Sequence, residues 1–176
     1  MALAPLLALR PLVPQAAAIL LFCLALAAPL RAQDVTAFAR WGSSSGALPP
    51  DHAWDYTVTF TTDRRVTVEY CKGYAQEAPG CATVSRRLSQ ADYAALQEKL
   101  VPLLAGLAEA PPQPDPNPPV GGGSSWGSVS VAGKDIALPG FPVDQDYVRV
   151  RAILTLLADY TPKGAIDAAQ RRAKAG

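Results

Sequence analysis

The chain has 176 residues, 16 basic against 15 acidic, and a formal net charge of +1. A length of this order fits one compact domain, and the 49% hydrophobic content is too high for a disordered chain. The near-neutral balance lacks the clustered basic face that nucleic acid or anionic lipid requires, so neither is expected as a partner. The single histidine excludes multi-histidine metal sites, and no metal or cofactor is expected.

Residues 1–32 carry the pattern of a secretory signal peptide. Arg10 is the only charge before Arg31, and the apolar run Ala16–Ala28 reads AAAILLFCLALAA. As a helix that run spans roughly 20 Å, short of a ~30 Å hydrocarbon core. Leu30-Arg31-Ala32 supplies a cleavage site before Gln33, whereas a cut after Ala28 would place Pro29 next to it. Loss of Arg10 and Arg31 takes the net charge from +1 to −1. An uncleaved anchor over Pro11–Leu30 is the rival, opposed by Pro11, Pro14 and Pro29. The sequence therefore predicts export to the periplasm or the extracellular space, with no transmembrane segment after leader cleavage. Cys23 leaves with the leader, which leaves Cys71 and Cys81. An even pair in an exported chain predicts a disulfide.

The mature chain reads as strands first. Residues 35–41 (VTAFARW) suggest a strand, then Gly42–Gly46 (GSSSG) and Pro49-Pro50 a loop. Trp54, Tyr56, Val58 and Phe60 alternate with polar residues, as do Val66, Val68 and Tyr70. Joined by Thr62-Asp63-Arg64, they predict an antiparallel hairpin with one apolar face. Cys71 falls on the polar parity, and Cys81–Arg87 is the next strand, held near Cys71 by the disulfide. Ser89 and Asp92 form a capping-box pattern that opens a helix, with Leu88 and Tyr93 as its staple. Tyr93, Leu96, Leu100 and Leu103 give the apolar face, and Pro102 is expected to end or kink it.

Pro111–Pro119 reads as extended polyproline and Gly121–Ser125 as a flexible hinge. A hairpin follows, with Val129 and Val131 facing Ile136 and Leu138 around Gly133-Lys134. Asp144 is expected to cap a second helix with an apolar stripe of Tyr147, Val150, Ile153, Leu154 and Leu157. Thr161-Pro162 ends it, and residues 163–176 read as a charged, mobile tail. The sum is an α+β fold: an antiparallel sheet of about five to six strands with two helices on one face. It is read as a single domain over residues 33–162 that includes the Pro/Gly connection at 111–125.

No candidate chemistry reaches a complete set. Gly42–Gly46 matches G-x-S-x-G with Ser44 at its centre, but no helix follows, and His52 lies too close behind for the hydrolase order. His52 itself reads as a surface residue at a strand entry. Asp144 and Asp146 are explained by the helix start. Arg64-Arg65 and Arg86-Arg87 are read as solvated pairs. Gly121–Gly123 lacks the remaining residues of a phosphate loop. Trp41 and Trp126, each beside a Gly/Ser-rich stretch, are the candidate anchors for a partner, against the alternative that both cover a small core. The reading is a non-enzymatic exported protein that binds another envelope or secreted protein, as an inhibitor or accessory factor. Its rivals are an envelope serine hydrolase using Ser44 and His52, and a membrane-tethered structural subunit that keeps its leader.

Overall fold

A computed structural model describes residues 34–176. The expected leader, its expected cleavage site and Cys23 lie outside the described residues.

Polar/apolar alternation builds six strands. They are β1 (Ala37–Ser44), β2 (Trp54–Thr61), β3 (Arg65–Lys72), β4 (Cys81–Arg87), β5 (Ser124–Val131) and β6 (Lys134–Leu138). They form one sheet in the order β4-β3-β2-β1-β5-β6, with every neighbouring pair antiparallel. Three helices, α1 (Gln90–Leu104), α2 (Asp144–Asp159) and α3 (Ala165–Ala175), pack on one face. The architecture is the α+β antiparallel sheet read from the sequence, with one helix more than expected.

Register explains which face is covered. Residues directly opposite one another in a sheet project to the same side. Ala39, Phe60, Val66 and Val129 therefore line up with Trp41, Val58, Val68 and Val84, and all are buried beneath the helices. A bulge between Ala37 and Ala39 turns Phe38 to the same side. Its ring meets Phe60 at 6.2 Å and Tyr93 of α1 at 5.9 Å. The opposite face carries Arg40, Thr57, Thr59, Thr67, Glu69, Ser85 and Ser128, and none of the helices among the described residues covers it.

The Cys71–Cys81 disulfide is formed across the end of β3 and β4, where the two residues are register partners. The Ser89 hydroxyl oxygen accepts the Asp92 N–H at 3.0 Å. Asp92 does not reach back to the backbone as a capping box would; its carboxylate instead accepts the Ser89 hydroxyl proton at 2.7 Å. α1 runs two residues past Pro102 and ends at Leu104. The β5–β6 turn centres on Ala132-Gly133, one residue earlier than expected, with positive φ at both positions, the geometry that matches the strand twist.

Three further expectations are corrected. The first concerns β1: it runs through Gly42–Ser44, because hydrogen bonding to β2 and β5 on both sides holds the serines in the sheet. In the second helix, Asp144 is already inside α2, and Val143 stands at the cap without a side-chain bond. The proline segment is anchored: Asp115 N–H donates to Phe141 O at 2.8 Å and Val143 N–H to Gln113 O at 3.0 Å. The third correction is to the expected mobile tail, which is helix α3. Ala165, Ala169 and Ala173 form a fully buried stripe whose small side chains let the helix approach β3 and β4 closely. Gln170 donates to the Tyr70 hydroxyl at 3.1 Å, and Arg172 to Thr83 O of the edge strand at 3.1 Å.

Candidate functional site

Trp41 and Trp126 each open a Trp-Gly-Ser segment, and the two segments lie in neighbouring strands. Trp41 of β1 pairs with Gly127 of β5, and Gly42 pairs with Trp126. Each tryptophan thus faces a glycine, and the two rings lie on opposite sides of the sheet. Trp41 is 7% exposed. Its indole N–H donates to Thr161 Oγ1 at 3.0 Å, and Thr161 in turn donates to Leu157 O at 2.9 Å. Burial makes it a core residue rather than a partner anchor. Trp126 is 38% exposed and its ring occupies the space a side chain on Gly42 would need. It stands on the uncovered face.

An aromatic row leads from the core to the end of the sheet at the start of β2. Trp41 meets Tyr56 edge-on at 5.4 Å, and Tyr56 stacks on Trp54 at 5.7 Å with an interplanar angle of 5°. Trp54 ends the row as the wall of a cleft of about 560 Å³ between the sheet end and α2. That volume is in the range of small-ligand sites. Ser43–Ser45 and Gly123–Ser125 form its floor, and Leu48, Gly140, Phe141, Tyr147 and Arg151 complete the lining.

Backbone contact between two glycine-bearing loops builds this floor. Gly46, with φ of +72°, lies so close to the Gly122 backbone that a Cβ would collide with it. A Cβ on Gly123 would fall 2.6 Å from Ser44 O. Gly121–Ser125 is therefore not a free hinge: Gly123 docks against β1, and Ser124 and Ser125 already belong to β5. Beneath the floor, Ser43 Oγ donates to Ser124 O at 3.0 Å and accepts from Ser125 Oγ at 3.3 Å. Partial burial pushes the Tyr56 phenol above its ordinary range, and its hydrogen bond with Ser43 opposes that shift. Ser45 Oγ accepts the Trp54 N–H at 3.0 Å.

Other groups in the lining remain unengaged. Among the described residues, the hydroxyls of Ser44, Ser124 and Tyr147, the Trp54 indole N–H and the Arg151 guanidinium form no hydrogen bond or ion pair. The lining contains one cation and no carboxylate. Tyr147 is 52% exposed, so it leaves the expected buried stripe, which retains Val150, Ile153, Leu154 and Leu157. Tyr147 and Arg151 stand four residues apart on α2, one turn of the same helix face.

The remaining candidates are not brought together. Ser44 lines the cleft, while His52 is exposed in the turn after Pro49, and no hydrogen bond joins them among the described residues. Asp146 accepts the Gln113 N–H at 2.9 Å, which anchors the proline segment to α2. Arg65 pairs with Asp63 at 3.5 Å, and the bonds Asp63 accepts from Thr61 and Arg65 hold its carboxyl below the usual range. On the uncovered face, partial burial and the nearby Glu69 charge push the Asp55 carboxyl up.

Trp54, Phe141, Tyr147 and Arg151 were absent from the sequence candidates. Tyr147 enters the sequence reading only as part of the apolar stripe of the second helix, and the i,i+4 spacing of Tyr147 and Arg151 is the one signal for the pair. No helix among the described residues is long and apolar enough to cross a membrane. No known family model matches the chain, and no curated protein matches it significantly.

Proposed function

We propose that this is an exported, non-enzymatic protein that binds another envelope or secreted protein, as an inhibitor or accessory factor. The cleft at the sheet end receives a segment of that partner. The observation that carries this reading is the cleft's composition: aromatic walls and several unengaged donors around a ligand-sized concavity. Such sites combine apolar area with a few convergent polar groups that fix orientation. Trp126, next in sequence to the floor residue Ser125, stands on the opposite face outside the cleft and is proposed as a second contact. Partly exposed tryptophans are effective anchors. The disulfide supports an oxidising destination.

Crosslinking in intact cells, followed by affinity recovery, tests the reading. One reproducible partner is expected. Tyr147→Ala and Trp126→Ala should each reduce its recovery about tenfold, as truncation of a binding anchor does. Undiminished recovery with both variants would overturn the assignment of the site.

A further inference from the structure

We propose that the cleft recognises a carboxylate attached to an apolar group, with Arg151 holding the carboxylate. This rests on the reading of the cleft as a binding site and names the chemistry it selects. Arg151 has no acidic or carbonyl partner among the described residues, and no carboxylate lines the cleft with it. A guanidinium in that setting offers a planar set of donors that matches a carboxylate. The lining's single positive charge balances one carboxylate and leaves a phosphate dianion half compensated. The free hydroxyls of Ser44, Ser124 and Tyr147 supply further donors to the same concavity, and none of them brings a negative charge. Trp54, Phe141 and Leu48 provide the apolar wall against which the rest of the ligand lies. A cation would meet Arg151 unopposed, and a wholly apolar ligand would strip water from the donors without replacing it.

The chemistry has two sources, an acidic terminus of a partner's chain or a free small acid. Four probes separate them: the tripeptide N-acetyl-Ala-Ala-Phe as acid and as amide, and 3-phenylpropionate with its amide. Binding to the full oxidised protein is read from amide chemical shifts. Each acid is expected to bind at least about tenfold tighter than its amide, with the largest shifts at Ser124 and Tyr147. Arg151→Gln should abolish that preference while the exposed control Arg86→Gln retains it.

A peptide acid tighter than 3-phenylpropionate assigns the site to a partner's chain terminus. Equal binding of the two acids assigns it to a free acid; the carboxylate inference then stands and the partner-binding reading loses its cleft. Acid and amide of equal affinity would overturn the inference. So would a preference that survives Arg151→Gln, or failure of all four probes to bind at millimolar concentration.

Discussion

Trp41 and Trp126 begin the same tripeptide, lie on adjacent strands and face each other's glycines, yet one is core and the other surface. The difference is set by register. Trp41 shares its parity with Ala39 and lies opposite Gly127, beneath α2. Trp126 shares its parity with Ser128 and Ser130 and falls on the face opposite the three described helices. Antiparallel pairing of two identical Trp-Gly pairs puts the rings on opposite sides, so the local sequence alone could not assign either one. The apolar alternation of the whole strand does.

That contrast can be broken from either side, and the largest effect is expected at the buried ring. Trp41→Ala should cost about 3–5 kcal/mol in chemical denaturation, the range for emptying a packed aromatic site. Trp126→Ala should cost far less, since its ring is partly solvated. Equal losses would mean that the two rings are equally packed. The facing glycines sharpen the same test. A Cβ on Gly127 would meet Arg40 O at 2.5 Å and Leu154 Cδ2 at 2.9 Å, so Gly127→Ala presses on α2. It should destabilise by about 1–3 kcal/mol, with part recovered in a Leu154→Ala background.

The disulfide adds a constraint in the register row that runs from Ser44 through Asp55 to Cys71 and Cys81. Replacing Cys71 and Cys81 together by serine should lower stability by roughly 2–3 kcal/mol, the chain-entropy value for a short loop. It should leave the acid-over-amide preference unchanged, since neither residue lines the cleft. Thr161→Val strands the Trp41 indole N–H and should cost about 1–2 kcal/mol.

The smallest effect is electrostatic. Asp55 is raised in the folded state, so folding favours its protonated form; its stabilising contribution grows as pH falls through the folded pKa and is complete below the unfolded value of 3.8. Removing the neighbouring charge with Glu69→Gln should bring the Asp55 pKa down in a carboxyl titration by NMR. An unchanged titration would leave burial as its sole cause.

The sheet was legible wherever apolar residues alternate with polar ones. Trp54–Thr61 and Arg65–Lys72 announce both their hairpin and their inner face, and Ser89 announces the start of α1. What stayed hidden lacked hydrophobic contrast. The end of β1 is serine, held by pairing on both sides, and the buried stripe of α3 is alanine, which gives little apolar signal. The cleft was hidden for another reason. Its lining joins residues from β1, β2, β5, the loop around Phe141 and α2, and only the fold makes them neighbours. Tyr147 was credited to the core because helical spacing shows which residues share a face, not where that face ends.

The central claim is that the cleft, rather than the uncovered face by itself, receives the partner. Photoreactive phenylalanine at position 147 tests it most directly, with irradiation in intact cells and mapping of the crosslinked peptides. The account predicts one partner, captured through an acidic chain terminus and lost when Arg151→Glu is added. A partner captured equally well with Arg151→Glu present, or captured from position 126 and never from 147, would contradict it.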